Sequence, residues 1–355
     1  MVRIAFIKRI GDGHGPCMSC HWRDTTPAQL LEMFLGDTAH WQMTSRLQAD
    51  WYVLPQKVGA IQQLSRGVRH RLKEMVQGRG GGVSGRPVLP FGLYDIVVDI
   101  EPSIEIEYSD SAIVACFAGA CCTELDSRSF RMAMKRYDLL LNPTLNSEWA
   151  VHRLPQAISF PYLCDPRTAR NVFSTNGKEA VLFVDWRTMS CLATQINGFD
   201  SLILETAAKR LESVLGVGIR FVKRSKEGHL PNNPTRYFSE LARCAYYASF
   251  QMSDTGQEVP EAASLGCICF GVKRSPYHRL LCHPACLCAD MAEFPEKLRI
   301  VVRSTSLQRN IIEWQDKMLD IHFGKRPIQL LERALELKER AKKRQSMGES
   351  VQPAD

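Results

Sequence analysis

Residues 253–271 hold the groups whose types and spacing best suit chemistry on a phosphate-containing ligand. A polar loop leads to a short helical run that begins at Pro260 and carries Glu261, and the apolar run after Gly266 predicts the next strand. A helix N-terminus offers unpaired N–H groups and a positive dipole end to phosphate oxygens, and Pro260 suits such a first turn because its missing N–H would be unpaired anyway. A carboxylate one residue later can accept hydrogen bonds from ribose hydroxyls, as acids do in other Rossmann-type sites. The segment therefore predicts a site for a nucleotide diphosphate.

Alternating strand and helix signals predict the elements that must position this segment. Short apolar runs bounded by Gly, Pro or Asp are typical of buried parallel strands. The predicted strands are residues 2–7, 51–54, 96–100, 112–117, 139–142, 180–184, 218–222, 246–250, 267–270 and 298–302. The predicted helices are residues 29–35, 202–215, 260–265, 306–319 and 327–344. This alternation indicates an α/β fold built on open sheets.

Length and composition indicate a globular protein of two domains. The 355 residues exceed one domain of average size, and 45% of them are hydrophobic against 23% charged. No apolar stretch reaches the roughly eighteen residues that a membrane-spanning helix needs. Residues 1–9 alternate apolar and charged side chains, which predicts a strand rather than a signal sequence. The net charge of +7 favours anionic partners without identifying one.

The chain contains thirteen cysteines without an export signal, which predicts reduced thiols in a cytoplasmic protein. Cys17, Cys20 and His21 have the spacing of a covalent haem site, but that chemistry belongs to exported cytochromes. The residues that could supply zinc ligands are Cys17, Cys20, His21, Cys282, His283, Cys286 and Cys288. The group formed by Cys282, His283, Cys286 and Cys288 lacks two Cys-x-x-Cys pairs, and thiols often pack as small hydrophobic groups. Zinc is therefore not expected, and neither is haem.

The order of residues around Glu261 resembles the donor-site motif of glycosyltransferases with the GT-B fold. The hexapeptide Glu-Ala-Ala-Ser-Leu-Gly starts at Glu261 and follows Asp254 and Gly256. The resemblance implies that Glu261 binds the ribose of a nucleotide sugar (a UDP- or GDP-sugar) and that residues 255–259 lie against its diphosphate. The family's common retaining-enzyme spacing places another Glu eight positions before the helix Glu, where this chain has Ser253, with Asp254 beside it.

The resemblance extends to the segments that precede this motif. Residues 138–142 resemble the strand that closes the N-terminal domain of the family, residues 160–166 resemble its interdomain linker, and residues 180–187 resemble the first strand and loop of its donor domain. In many relatives that loop supplies a cation to the diphosphate, and Arg suits phosphate through its paired donors. The donor-binding candidates are Gly13, Arg187, Lys223, Arg224, Asp254, Thr255, Gly256, Gln257, Glu258 and Glu261.

The resemblance implies an α/β fold of two Rossmann-like domains that face a central cleft, with C-terminal helices that cross back to the N-terminal domain. Residues 1–160 would form the N-terminal acceptor domain, and residues 161–305 would form the C-terminal nucleotide-sugar donor domain. Residues 306–345 would form the C-terminal helices, followed by a disordered tail over residues 346–355.

Candidates for the acceptor side follow strands of the first half of the chain. The Gly-rich loop after the first predicted strand contains Asp12 and His14, and the corresponding loop of GT-B enzymes faces the cleft. A general base helps to remove the proton of an acceptor hydroxyl in an inverting reaction. The catalytic candidates are His14, Asp12, Asp99 and Glu101, with Glu124 and Asp126 as further carboxylates after a strand.

The basic, Gly-rich residues 66–86 favour an anionic acceptor; the candidate contacts are Arg66, Arg69, Arg71 and Arg79. The favoured hypothesis is transfer of a sugar to a hydroxymethylated base in double-stranded DNA, as phage DNA glucosyltransferases of this fold do. One alternative is a cell-surface polysaccharide or lipid-linked glycan as acceptor, with peripheral membrane contact. Another is a non-catalytic nucleotide- or nucleic-acid-binding protein, supported by the missing Glu at Ser253. The need for a divalent cation stays open, because this fold also uses helix dipoles and basic side chains.

Overall fold

The computed structural model describes residues 2–10, 18–20, 38–55, 91–100, 113–117, 137–142, 157–161, 163–173, 177–185, 188–189, 204–222, 234–250 and 258–349. Within these residues the chain forms two sheets of mainly parallel strands, with helices between the strands. The expected α/β class with two open sheets is confirmed.

The first sheet is centred on a strand near the N-terminus. Its strands are β1 (Ile4–Ile10), β2 (Met18–Cys20), β3 (Asp50–Pro55), β4 (Ile96–Asp99), β5 (Ile113–Phe117), β6 (Leu139–Asn142) and β7 (Ala157–Ser159). They stand in the order β2-β3-β1-β4-β5-β6-β7, and only the described pair β2 and β3 is antiparallel. The helix α1 (Thr38–Leu47) precedes β3. Because β3 and β4 flank β1 on opposite sides, the strand order reverses between β1 and β4.

The second sheet is parallel throughout its described strands. Its strands are β8 (Glu179–Asp185), β9 (Gly218–Val222), β10 (Cys244–Ala248), β11 (Ile268–Val272) and β12 (Leu287–Cys288). They stand in the order β12-β11-β10-β8-β9. This is a doubly wound arrangement in which the strand order reverses between β8 and β10.

Helices connect the strands of the second sheet and continue beyond it. They are α2 (Pro166–Val172), α3 (Leu204–Leu215), α4 (Pro234–Arg243), α5 (Glu258–Ser264), α6 (Pro276–Leu281), α7 (Phe294–Arg303), α8 (Thr305–Asp320) and α9 (Arg326–Glu349). A π-helical segment, Ile321–Lys325, joins α8 to α9. Among the described residues, no helix combines the length and the apolar character needed to cross a bilayer.

The predicted strands agree with the observed residues at 139–142 and 218–222, and most of the others shift by one to three residues. Residues 157–159, which no predicted strand included, form the edge strand β7 against β6. The predicted helix at residues 29–35 lies outside the described residues.

The predicted strand at residues 298–302 is wrong, because these residues belong to α7. Phe294, Leu298 and Val301 are buried at the three- and four-residue spacing of a helix, whereas Ile300 on another face is 51% exposed. The segment is therefore an amphipathic helix, and a five-residue apolar run cannot be distinguished from a strand by pattern alone.

The C-terminal helices return to the first sheet, as expected. The Lys338 ammonium on α9 lies 2.5 Å from the Asp138 carboxylate, directly before β6. The helix continues to Glu349, past the expected end at residue 345. The limits of the domains stay a prediction.

A buried histidine holds the turn that follows β11. The His278 Nδ1 atom accepts a hydrogen bond from the Val272 N–H at 3.0 Å. The ring packs so closely on Gly271 that a Cβ there would lie 2.6 Å from it. Burial lowers the pKa of His278 to about 4. The imidazole is therefore neutral in the folded protein at neutral pH.

We expect His278 to make the stability of the protein depend on pH. Its folded-state pKa lies below its ordinary value near 6.5, so the unfolded chain binds the proton more readily and stability falls as pH falls from about 6.5 towards 4. A His278→Asn variant keeps an acceptor for the Val272 N–H but does not titrate. Between pH 7 and 4.5, urea unfolding should show the native protein losing about 2 to 3 kcal/mol more than the variant. Parallel losses in the two proteins would contradict a buried neutral His278.

Candidate functional site

The two sheets each present one position where a ligand is expected. Open parallel sheets bind ligands outside the carboxyl ends of the strands, at the point where the strand order reverses. In the first sheet this point lies between β1 and β4, and in the second between β8 and β10. The described candidates at these positions are Asp99, which ends β4, and Glu258 and Glu261 on the helix that follows β10.

Asp99 lies below the carboxyl edge of the first sheet. It pairs with Ile7, and β1 continues three residues further to Ile10. Its side chain is fully buried, and Oδ2 accepts a hydrogen bond from the Tyr137 hydroxyl at 3.0 Å. At this depth the carboxylate acts on neighbouring side chains rather than directly on solvent. The other catalytic candidates, Asp12, His14 and Glu101, lie outside the described residues, as do Glu124 and Asp126.

The helix α5 forms where the sequence predicted it and begins two residues earlier, at Glu258. Glu258 and Glu261 stand in its first turn, where negative charge is favourable, and two alanines follow. Gly266 ends the helix in the left-handed conformation, with a φ of +81°. There the N–H of Gly266 donates to the Ala263 carbonyl at 2.8 Å. A helix that follows a parallel strand starts at the carboxyl edge of the sheet, so Glu261 lies near this edge.

Glu261 is nearly buried, with 7% of its surface exposed. The thiol of Cys164, in the segment that joins the two sheets, lies near Glu261 and forms a hydrogen bond with Ser264. Burial raises the pKa of Cys164 to about 12; the hydrogen bond with Ser264 opposes this shift, and the carboxylates of Glu261 and Asp165 add to it. Cys164 is thus a neutral thiol that lies near two carboxylates.

The carboxyl ends of β8 and β10 are tied together by a contact that sequence analysis did not single out. The Phe250 N–H donates to Thr188 Oγ1 at 3.4 Å, and Thr188 is buried. The sequence signal that could have indicated this contact is that Thr188, a small polar residue, follows a predicted strand closely. Most donor and acceptor candidates lie outside the described residues: Gly13, Arg66, Arg69, Arg71, Arg79, Arg187, Lys223, Arg224, Asp254, Thr255, Gly256 and Gln257.

The cysteines of the second half pack as core residues. Cys282, Cys286 and Cys288 are buried, and burial raises the pKa of Cys288 to about 11. Within the described part of the chain, no three or more His, Cys, Asp or Glu side chains are arranged to hold a metal ion. Cys17 and His21 lie outside that part.

No protein-family model matches the sequence, and no curated protein matches it. Among solved structures, similar backbones occur in HepE of Anabaena in complex with UDP and glucose (12% identity, 96% of this chain and 100% of that chain, TM-score 0.48). They also occur in T4 phage BGT in complex with UDP and Mn²⁺ (12% identity, 94% and 99%, TM-score 0.39). The pneumococcal O-GlcNAc transferase GtfA in complex with UDP and GlcNAc is matched at 11% identity with a TM-score of 0.42, over 68% of this chain. This chain spans only 56% of GtfA, and the fold assignment follows from its own two sheets.

We expect the Tyr137 hydroxyl to stabilise the buried Asp99 carboxylate. Replacing Tyr137 by Phe removes a donor from a charged acceptor and should cost about 1–3 kcal/mol of unfolding free energy in urea. In a double-mutant cycle with Asp99→Asn, the combined loss should be smaller than the sum of the single losses, because the two variants remove the same bond. Additive losses would show that the hydrogen bond does not contribute.

Proposed function

We propose that this chain is a glycosyltransferase that moves a sugar from a nucleotide-sugar donor to a hydroxyl acceptor. The observation that carries the proposal is the position of Glu261. It stands on the helix after β10, at the reversal point of a doubly wound sheet, within the residue order that resembles the GT-B donor motif. A nearly buried carboxylate at such an edge is suited to accept hydrogen bonds from ribose hydroxyls.

The donor roles follow from the resemblance and from charge. Glu261 would bind the ribose, and residues 255–259 would lie along the diphosphate. Arg187, Lys223 and Arg224 would supply positive charge to the phosphates, since guanidinium and ammonium groups pair with phosphate oxygens. These cations follow β8 and β9 in the sequence, so we propose that they act at the edge of the sheet where Glu261 lies. A divalent cation is an additional or alternative source of that charge.

The acceptor roles fall on the first sheet. A base removes the proton of the acceptor hydroxyl, its oxygen attacks the anomeric carbon, and the nucleoside diphosphate leaves. Asp12 or His14, in the loop after β1, would contact that hydroxyl. Asp99 lies on β4, the neighbour of β1, and below the carboxyl edge of the sheet. From there its carboxylate would orient a side chain nearer the edge and favour the protonated form of that side chain. Glu101, two residues further along, is the remaining candidate base.

For the acceptor we propose a hydroxymethylated base in double-stranded DNA. The support is the cluster of cations in residues 66–86, with Arg66, Arg69, Arg71 and Arg79 as phosphate contacts. A base inside the duplex would have to leave the stack to reach the sugar. Transfer to a surface polysaccharide or lipid-linked glycan is the alternative outcome of the acceptor test below.

We expect a Glu261→Gln variant to bind the nucleotide sugar more weakly. The side chain keeps its size but loses the charge that strengthens a hydrogen bond to ribose, so affinity should fall by about 10- to 100-fold in calorimetry. The matched control is Glu240→Gln, which neutralises a carboxylate on α4 that pairs with Arg220. Equal affinities of the Glu261 variant and the native protein would exclude Glu261 from the donor site.

The same samples separate an enzyme from a binding protein. Hydrolysis of UDP- or GDP-sugar without an acceptor would support a transferase, whereas tight nucleotide binding with no turnover would favour the non-catalytic alternative. Mass spectrometry of hydroxymethylated DNA and of lipid acceptors after incubation with donor then identifies the acceptor class.

We expect DNA binding to weaken with salt through the arginines of residues 66–86. Neutralising Arg69, Arg71 and Arg79 to Gln should reduce the slope of log affinity against log salt by about 2 to 3, near 0.9 for each phosphate that the protein no longer neutralises. A control that neutralises three exposed cations elsewhere, Lys209, Arg279 and Arg333, should leave the slope unchanged. Equal slopes in both triple variants would remove the support for DNA and favour a glycan acceptor.

A further inference from the structure

The short helix α2 makes polar contacts with other elements at both of its ends. At its N-terminus, Asp165 Oδ1 accepts from the Thr168 N–H at 3.1 Å, which caps the helix. The other oxygen, Oδ2, accepts from Ser45 Oγ on α1 at 2.7 Å. The Asp165 N–H donates to Gln42 Oε1, also on α1, at 3.1 Å. One residue therefore both starts α2 and joins it to the helix that precedes β3 in the first sheet.

The polar residues of α1 are buried where they meet this junction. Gln42 and Ser45 expose only 2% and 5% of their surface. Buried polar groups cost free energy unless they are hydrogen-bonded, and these two are paired with Asp165 and Thr168 across 120 or more residues of sequence. The buried polar face of α1, formed by Gln42 and Ser45, therefore pairs specifically with the first residues of α2.

A second contact holds the next residue of α1. Arg46 Nη2 lies 2.8 Å from Asp320 Oδ1 at the end of α8, and the same carboxylate pairs with Lys325. Gly324 allows this approach, because a Cβ at that position would lie 2.8 Å from Arg46 Nη2. Hydrogen bonds from Lys325 and Arg46 lower the pKa of Asp320. The pair stays charged at neutral pH, and α1 is fixed at two points.

At the other end of α2, Arg170 caps the C-terminus of α5. Its Nε donates to the Ser264 carbonyl at 3.1 Å, and Nη2 donates to the Ala263 carbonyl at 3.3 Å. The guanidinium also forms a two-point ion pair with Asp316 on α8, at 3.0 and 2.5 Å. The last carbonyls of a helix have no partner within it, so Arg170 completes α5 and sets its position relative to α2.

We propose that α2 is a strut that couples α1 of the first sheet to α5 of the second and thereby positions Glu261. Asp165 contacts α1 at one end, Arg170 caps α5 at the other, and Cys164, which precedes α2, forms a hydrogen bond with Ser264 on α5 and lies near Glu261. The Cys164 N–H donates to the carbonyl of Phe323 at 2.7 Å, which joins the same segment to the π-helical turn after α8. The role of Glu261 in donor binding rests on the proposed function, whereas the coupling of the two helices does not.

The test is a Ser45→Ala, Arg46→Gln double variant studied by hydrogen exchange with mass spectrometry. It removes the contacts of Ser45 to Asp165 and of Arg46 to Asp320, but it leaves the Gln42–Asp165 hydrogen bond and the Asp165 cap of α2 intact. Ala and Gln both favour helix. We expect amides of residues 163–173 and of residues 258–265 to exchange about ten-fold faster than in the native protein. None of the hydrogen bonds of Ser45 and Arg46 described above is made to α5. If α2 couples the two helices, exchange must nevertheless become faster in both peptides.

Two controls and a third variant distinguish coupling through α2 from a general loss of protection in the protein. Glu240→Gln breaks an ion pair of similar exposure within the second half, with side chains 30% and 38% exposed against 27% and 39% for Arg46 and Asp320. It should leave both peptides unchanged. Arg46→Lys keeps a cation opposite Asp320 and should retain most of the protection. An Arg170→Met variant, which frees the other end of α2, should speed exchange in residues 258–265 while α1 keeps its protection.

The outcomes distinguish this inference from the proposed function. Unchanged exchange of residues 258–265 in the double variant would overturn the strut, whatever the activity of the protein. Faster exchange of both peptides under conditions where the variant stays folded, together with a donor affinity reduced about three- to ten-fold, would support it. If the native protein binds no nucleotide sugar at all, the proposed function fails, and the exchange of residues 258–265 still decides whether α2 couples the helices.

Discussion

Parallel strand pairing is the constraint on which the rest of the structure depends. Two parallel neighbours need a crossover connection, so the chain returns to the same edge before each parallel strand, and the carboxyl ends of the parallel strands meet at one edge. In both sheets the first strand is flanked on its two sides by later strands. A crevice for a ligand is therefore expected between β1 and β4 and between β8 and β10. The strand order, rather than the neighbouring sequence, brings Asp99 and Glu261 to these positions.

The second constraint is that buried polar groups need hydrogen-bond partners. It applies within the first sheet and also where elements of the two sheets meet. Buried Asp99, Gln42 and Ser45 have hydrogen-bond partners contributed by distant parts of the chain. Such pairs are costly to break because the remaining partner stays buried. An apolar contact can slide, but the hydrogen bonds between α1 and Asp165 have one good geometry. The junction is consequently suited to fix an angle between elements of the two sheets.

The sequence was informative where local pattern alone decides the structure. Strands such as β6 and β9 are short runs rich in apolar residues between breakers, and Gly266 marks the end of α5, so these elements could be predicted. The strand at residues 298–302 could not be separated from α7, since their apolar spacing becomes helical only when Phe294 is included. The junction of Ser45 with Asp165 was beyond prediction, because both are ordinary polar residues 120 positions apart. Asp99 was selected for its type and strand end, but its depth below the edge depends on the register with β1.

The position of Glu261 bears on the one departure from the family motif. Arg170 on α2 caps the end of α5, Cys164 lies near Glu261, and α5 packs on β11. These supports lie in residues 163–173 and in the part of the chain that begins at Glu258. In the motif that this segment resembles, the position of Ser253 holds the second Glu. A serine there therefore bears on the proposed contact with the sugar, whereas the proposed contact with the ribose depends on Glu261 and on the elements that support it.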